Sequence, residues 1–205
     1  MRLEIVFFLV ALNLPSAQAE TLGSEVFQRG AEGIEPCATC HVADGTGSMQ
    51  LRAPAIAGQP AGYLEKQLLD FRSGLRASLI MEPIARRLDV SQTRDVTSFM
   101  AALLPPVLTA SESPELGRHL ARIGKWEIGV PPCDKCHGMD GRGIAPHFPA
   151  LSGQIGGYII DSLMAYRNDV RRNDPLGMMR HVAKGLSDEE MSAAAQYYQA
   201  QKRKP

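Results

Sequence analysis

The sequence predicts an all-α fold, built as a tandem repeat of one small helical domain with a proline-rich linker between the copies. Helical periodicity recurs along the chain, whereas no stretch alternates apolar and polar residues as a half-buried strand does. Segments of the first half return in the second half at an offset of 95 positions, residues 54–59 as 149–154 and residues 62–63 as 157–158. Between the halves, residues 105–114 contain three prolines, which is typical of a linker.

The first 19 residues have the features of a cleaved export signal. Arg2 precedes an apolar run of about ten residues, and Ala17-Gln18-Ala19 provides the small-residue cleavage pattern. This run is too short to span a bilayer, and a buried first helix is the alternative interpretation. We expect a signal peptide at 1–19 that is cleaved after Ala19. The rest of the chain would then form an N-terminal domain at 20–105 and a C-terminal domain at 106–205.

Capping residues and apolar spacing predict the helices in order. A short helix is expected over residues 24–30 with its first serine as N-cap, and apolar spacing predicts a longer helix over 61–73. Ser91 opens the last helix of the first half, which two prolines close. In the second half a helix is expected over 115–122, and Ser187 precedes the final one. The order of elements is therefore the same in both halves.

Both halves carry the motif C-x-x-C-H, at residues 37–41 and 133–137, and these two motifs contain all four cysteines of the chain. Cysteines three apart on a helical turn face the same side, so that their sulfurs can join the two vinyl groups of one porphyrin while the histidine binds its iron. A thioredoxin-like dithiol, half a zinc site and a disulfide framework are the alternatives, but none of them needs the histidine twice. The sequence predicts two covalently bound haem c groups, attached at Cys37, Cys40, Cys133 and Cys136, with His41 and His137 as axial ligands.

The ligand on the other face of each iron decides the chemistry, because methionine, histidine and an open position predict different functions. In the first half the candidate is Met81, which lies 40 residues beyond His41 in a segment predicted to be a loop. At an offset of 98 positions, Met81 aligns with Met179 in the second half. Met178 and His181 remain alternatives there, since the preceding loop is three residues longer than its counterpart.

Charge and motif content exclude several classes of function. Lysine and arginine number 22, as do aspartate and glutamate, so that the chain lacks the basic surface of a nucleic-acid-binding protein. No pairing of a nucleophile with a base, or of two carboxylates, indicates an active site. A two-haem peroxidase is the enzymatic alternative, but it needs an open iron, whereas both halves offer a methionine. We therefore expect an electron-transfer protein and not an enzyme.

With these residues, the sequence resembles the cytochrome c4 family, two-haem c-type cytochromes that are exported to the bacterial periplasm. The resemblance rests on the two C-x-x-C-H motifs, on P-x-h-x-G-Q segments at Pro54 and Pro149, and on M-x-x-h-A segments at Met81 and Met179. It implies two cytochrome c-like domains. It also implies that the carbonyl groups of Pro54 and Pro149 accept a hydrogen bond from the proximal histidine, which orients the imidazole.

The resemblance further implies the function and its location. It predicts a periplasmic electron carrier that moves single electrons between respiratory complexes. The donor would be a quinol–cytochrome c reductase or a dehydrogenase, and the acceptor a haem-copper terminal oxidase. Such a carrier is mobile or loosely associated with the membrane surface. A cytochrome subunit of a larger dehydrogenase, for example a flavocytochrome, is the alternative.

Overall fold

The computed structural model describes residues 17–106 and 113–202. Most of the predicted signal peptide and the centre of the predicted linker lie outside these described residues. Within them the regular elements are helices, and extended segments pair only as isolated bridges. The all-α prediction is confirmed. In the same ranges, no helix combines the length and the apolar character that a membrane span requires.

Each half contributes five α-helices to the described part of the chain. They are α1 (Ala17–Arg29), α2 (Ala38–His41), α3 (Ala61–Ser73), α4 (Met81–Arg87), α5 (Val90–Ala102), α6 (Glu115–Arg122), α7 (Cys133–His137), α8 (Gly156–Arg167), α9 (Met178–Lys184) and α10 (Asp188–Ala200). Short 3₁₀ turns at Trp126–Ile128, Met139–Gly141 and Pro175–Gly177 accompany the helices of the second half.

The predicted helices over 61–73 and 115–122 have the bounds that the sequence suggested. At the start of α10, Ser187 is the N-cap: its Oγ accepts a hydrogen bond from the Glu190 N–H at 3.2 Å, and the Glu190 carboxylate accepts one from the Ser187 N–H at 2.7 Å. This reciprocal pair is a capping box, which satisfies two of the unpaired N–H groups at the helix start.

Two predicted helix starts were wrong. The helix expected over 24–30 begins at Ala17, and Ser24 lies inside it and caps nothing. Alanine, glutamine and glutamate before that serine are good helix formers, which extends the helix towards the N-terminus. Asp89 rather than Ser91 caps α5, because its carboxylate accepts from the Gln92 N–H at 2.8 Å.

The first and last helices of each domain cross at a glycine. α1 packs on α5, and α6 packs on α10. A Cβ on Gly23 would lie 2.3 Å from the carbonyl oxygen of Asp95, and a Cβ on Gly117 would lie 2.2 Å from that of Ala193. Only glycine allows the two backbones to approach so closely, so both domains depend on one at the same crossing.

Each domain has its own apolar core. The first core is formed by Val26, Phe27, Ile34, Ile56, Leu64, Leu88, Val96 and Met100. The second core includes Leu120, Val130, Ile159, Leu163, Leu186, Met191, Tyr197 and Tyr198. Two separate cores agree with the repeat of two domains, and the boundaries at 20–105 and 106–205 remain a prediction.

The two domains meet in a buried, reciprocal contact. The Gln59 side chain binds the backbone of Ala150, donating from Nε2 to its carbonyl oxygen at 2.9 Å and accepting at Oε1 from its N–H at 2.9 Å. Gln154 binds Ala55 in the same way, at 2.9 and 2.8 Å. Since each residue of one pair lies 95 positions from its counterpart, the interface is pseudo-symmetric, like that of a two-fold dimer.

An arginine–tyrosine cluster completes the interface. Arg76 Nη2 donates to the Tyr158 hydroxyl at 2.9 Å, and Gln67 Oε1 accepts from both Arg76 Nη1 and Arg171 Nη2 at 2.9 Å. Arg171 is only 7% exposed, and its guanidinium lies 4.6 Å from the centre of the Tyr166 ring. Burial alone would raise the pKa of Tyr158, but the two guanidinium groups lower this pKa to about 7.

Candidate haem attachment sites

The four motif cysteines are half-buried and lie on the single turns α2 and α7 or at their edges. Burial raises the pKa of Cys37 and of Cys133 to about 11. A redox dithiol and a zinc–thiolate site both need a lowered thiol pKa. In addition, no group of three or more His, Cys, Asp or Glu side chains in the described ranges is arranged to hold a metal ion. The surroundings of these cysteines therefore fit covalent attachment of a porphyrin better than the alternatives.

The motif histidines are buried and oriented by a backbone carbonyl. His41 Nδ1 lies 2.9 Å from the carbonyl oxygen of Pro54, and His137 Nδ1 lies 2.9 Å from that of Pro149. Because a carbonyl oxygen only accepts, Nδ1 carries the hydrogen, and Nε2 keeps the lone pair that can bind iron. Burial lowers the pKa of both histidines. The neutral form, which is the one that binds a metal, is favoured in both domains.

Met81 is the first residue of α4, which corrects the expectation that it lies in a loop. The Ser78 hydroxyl accepts from the Met81 N–H at 3.1 Å and so satisfies one N–H of the first helical turn. Pro83 is tolerated two residues later because that turn needs no partner for its N–H groups. The Met81 side chain is half-buried. A position at the start of a short helix fixes its backbone more firmly than a loop would.

The buried residues around α9 support Met179 as the counterpart of Met81. Ala85 and Leu88 are buried beside Met81, and Ala183 and Leu186 are buried at positions that are 98 residues further on. The N-caps Asp89 and Ser187 differ by the same 98 positions. The register expected from the sequence therefore holds in the packing.

The two alternative ligands in this segment have less suitable surroundings. Met179 is half-buried against the second core, whereas Met178 is 41% exposed. His181 is exposed, and its Nε2 lies 3.1 Å from the carbonyl oxygen of Gly129. One ring nitrogen of His181 is therefore already engaged with the backbone of the preceding turn.

Several residues beside the sites were not recognised as functional from the sequence. Gln59 and Gln154 belong to the repeated P-x-h-x-G-Q segment, but nothing in that pattern shows that each binds the other domain. Arg76 and Arg171 also lie 95 positions apart. A search for polar residues that recur at the repeat offset would have singled out all four residues, but not their contacts with the other domain.

The general cytochrome c sequence model matches residues 21–104 and 132–202 of this chain. A solved structure of reduced recombinant cytochrome c4 from Pseudomonas stutzeri matches with a TM-score of 0.78 and 31% identity, covering 90% of this chain and 98% of that one. The chain belongs to the cytochrome c4 family. The predicted architecture of two cytochrome c domains is confirmed. As a member of this family, the cytochrome has two covalent haem c groups on its paired cysteines and is an electron-transfer protein, not an enzyme.

Two further similarities are to proteins named after thiosulfate dehydrogenase. The cytochrome is 41% identical over 198 residues to the thiosulfate dehydrogenase electron acceptor of Stutzerimonas stutzeri (strain A1501), covering 92% of this chain and 91% of that protein. A solved thiosulfate dehydrogenase from Marichromatium purpuratum, in its as-isolated form, matches with a TM-score of 0.83 and 34% identity. This match covers 89% of the cytochrome and 40% of the dehydrogenase chain.

Proposed function

We propose that this cytochrome accepts electrons from a thiosulfate dehydrogenase and passes them towards a haem-copper terminal oxidase. One observation carries the choice of donor: a thiosulfate dehydrogenase chain devotes 40% of its length to a part with this fold. A dehydrogenase joined to such a part can deliver its electrons without a diffusing partner. The similarity to a separate electron acceptor for the same enzyme class supports a free carrier with the same role.

The side chains at each predicted haem site suit this role. A bound haem c supplies a one-electron iron couple. The His41 and His137 imidazoles would bind iron through Nε2, while Met81 and Met179 would provide the second ligand. A thioether ligand favours the ferrous state and raises the potential, and an apolar pocket adds to this because it penalises the extra charge of the ferric state. With both positions filled in this way, oxygen and small substrates would have no access to the metal.

The donor can be tested by reduction kinetics. The oxidised holoprotein is mixed with thiosulfate and a catalytic amount of thiosulfate dehydrogenase, and reduction is followed at the haem α-band. We expect both haems to be reduced, with two electrons taken up per molecule and an initial rate proportional to the enzyme concentration. A monohaem cytochrome c at equal haem concentration serves as the control. Reduction by a quinol–cytochrome c reductase, but not by the dehydrogenase, would overturn the proposed donor.

The acceptor needs a separate measurement. Reduced cytochrome is added to membranes that contain a haem-copper oxidase, and its reoxidation is followed with and without cyanide. We expect reoxidation that cyanide abolishes. If cyanide has no effect on the rate, the electrons leave by another route and the proposed acceptor is wrong.

The match to one long dehydrogenase chain also favours a second candidate, a fixed cytochrome subunit of the dehydrogenase. Gel filtration of an equimolar mixture distinguishes the two. A free carrier elutes separately from the enzyme at micromolar concentration, whereas a subunit elutes with it.

We also propose that the cytochrome works in the periplasm, after export and cleavage after about Ala19. The apolar run and the Ala17-Gln18-Ala19 pattern support this location. The intact mass of holoprotein from a periplasmic extract should correspond to a chain that begins at Glu20 with two haem c groups attached. An uncleaved N-terminus in that fraction would contradict the cleavage site.

A further inference from the structure

The peptide unit between Pro54 and Ala55 is hydrogen-bonded at both ends. Its carbonyl oxygen, which belongs to Pro54, accepts from His41 Nδ1 at 2.9 Å. Its N–H, which belongs to Ala55, donates to Oε1 of Gln154 at 2.8 Å. His41 lies in the first domain and Gln154 in the second. A single peptide therefore connects the histidine of one domain to a side chain of the other.

The second domain contains the mirror arrangement. The carbonyl oxygen of Pro149 accepts from His137 Nδ1 at 2.9 Å, and the N–H of the same peptide unit, that of Ala150, donates to Oε1 of Gln59 at 2.9 Å. Gln59 and Gln154 are 3% and 4% exposed. The Nε2 group of each also donates to the carbonyl of the same alanine, which fixes the orientation of the amide. Each domain thus supplies the glutamine behind the other domain's histidine.

Hydrogen bonds in such a chain strengthen one another. An amide whose N–H meets an acceptor carries more negative charge on its carbonyl oxygen, so that this oxygen accepts more strongly. A stronger acceptor at Nδ1 makes the imidazole a better electron donor to a bound metal. Better donation stabilises the ferric state relative to the ferrous state and lowers the reduction potential.

We infer that Gln59 and Gln154 are positioning residues, and that each sets the potential of the haem in the other domain. Gln154 lowers the potential of the haem in the first domain, and Gln59 lowers that of the haem in the second domain. This inference rests on axial ligation by His41 and His137. A failure of that ligation would appear separately, as a wild-type spectrum without low-spin haem.

The two glutamines differ in one respect. Gln154 Oε1 also accepts from the N–H of Ile155 at 2.9 Å, so that two donors share this oxygen. The residue after Gln59 is Pro60, which has no N–H. Gln59 Oε1 therefore accepts from the Ala150 N–H without competition from the next residue. Loss of the Gln59 side chain has the larger effect.

The inference is tested by potentiometric titration of the holoprotein with visible spectra. Gln154→Met and Gln59→Met keep the side-chain volume and remove both hydrogen bonds to the alanine of the other domain. We expect Gln154→Met to raise the reduction potential of the first haem by about 28 mV. This shift corresponds to an about threefold change in the reduced-to-oxidised ratio, at 59 mV per tenfold. Gln59→Met should raise the potential of the second haem by more. In each variant the haem of the glutamine's own domain stays unchanged.

Controls separate tuning from a merely structural contact. Gln154→Glu, measured at about pH 5 where burial keeps the carboxyl neutral, offers the same donor and acceptor and should restore the wild-type potential. Asp161→Asn removes the exposed interdomain pair with Arg52, which measures 2.6 Å, and should leave both potentials unchanged. The titration waves are assigned with Met81→Ala and Met179→Ala.

Equal shifts of both haems, a shift only in the glutamine's own domain, or no shift would each overturn the inference. If Gln154→Met or Gln59→Met fails to fold, Gln154→Asn or Gln59→Asn takes its place. Asparagine is one methylene too short to reach the peptide and must give the same crossed shift.

Discussion

The two helices that carry the candidate methionines occupy equivalent places but are held differently. In the first domain, α4 is supported by the bond from the Met81 N–H to Ser78 and by an exposed pair between Glu82 and Arg86 at 2.6 Å. Leu79, two residues before Met81, is 99% exposed. Apolar contacts anchor this segment to its core, through the buried Ala85 and Leu88 and the partly buried Ile84.

In the second domain, polar contacts hold α9 from both sides. The buried Asp174 accepts from Arg180 Nε and from the Arg180 N–H, both at 3.0 Å. Lys184 pairs with Asp169 at 2.7 Å, and His181 contacts a backbone carbonyl of the turn before the second motif. The aspartates belong to the loop that is three residues longer than its counterpart. The apolar register therefore determines where each methionine lies, whereas the added loop determines how firmly it is held.

The largest effect is expected from removing the methionines themselves. Met81→Ala and Met179→Ala should each convert one haem from low spin to an open or water-ligated form. The reduction potential of that haem should fall, which lowers its reduced-to-oxidised ratio by more than about tenfold. Visible spectra with carbon monoxide and a redox titration measure this. Met178→Ala is the control. An unchanged Met179→Ala spectrum would move the assignment to Met178 or His181.

The glycine crossings test the feature that both domains share. Gly23→Ala and Gly117→Ala force a Cβ against a backbone carbonyl, and each should destabilise its domain by about 2–3 kcal/mol in thermal or denaturant unfolding. Gly157→Ala is the matched control, since its Cβ would lie at an ordinary 3.5 Å from the Arg52 side chain. If only one crossing is sensitive, the two domains are less alike than their register indicates.

Asp174→Asn tests whether the polar contacts between Asp174 and Arg180 stabilise α9. Breaking a fully buried pair costs about 3–5 kcal/mol, but Arg180 is partly exposed, so that we expect a loss of about 1–2 kcal/mol. Imidazole should then displace Met179 more readily, which a spectral titration with imidazole detects. Glu82→Gln in the first domain, which removes an exposed pair, should change neither property. Equal imidazole affinity of wild type and Asp174→Asn would show that the contacts of Asp174 with Arg180 do not affect ligation by Met179.

The smallest effect concerns the acid sensitivity of the α10 cap. Burial alone would raise the pKa of Glu190, but hydrogen bonds from the Ser187 N–H and from Lys125 hold this pKa below its usual range. A carboxylate with a lowered pKa in the folded state stabilises the protein above its unfolded pKa of about 4.3, and this contribution is lost as the pH falls through the folded pKa. At pH values below about 4.3, the melting temperature of the second domain should therefore decrease.

Glu190→Gln is the control for this pH dependence. The amide oxygen still accepts from the Ser187 N–H, so that the capping box survives, whereas the ion pair with Lys125 is lost. The variant should show a flatter decline of the melting temperature in acid than the wild type. A parallel decline in both proteins would assign the acid sensitivity to other carboxylates.

Local patterns in the sequence were sufficient for much of the fold and of the candidate sites. The motif cysteines and histidines and the 98-residue shift from Met81 to Met179 depend on spacing along the chain. The role of the Pro54 and Pro149 carbonyls was expected only from the family resemblance, and both carbonyls bind the motif histidines. The start of α1 was misplaced because good helix formers override a serine N-cap. The contacts of Gln59 and Gln154 could not be predicted, since they depend on how two domains are placed against each other. The role of Asp174 was also hidden, because its loop has no counterpart in the first domain.

The arginine–tyrosine cluster has a consequence for a protein that must bind and release charged partners. Arg171 donates to the side-chain oxygens of Ser162, Asn173 and Gln67, which are hydroxyl and amide groups without net charge. Dissolved ions screen attraction between opposite charges, but they have little to screen in bonds of this kind. Ionic strength that detaches the cytochrome from a partner should therefore leave the mutual orientation of its two halves intact.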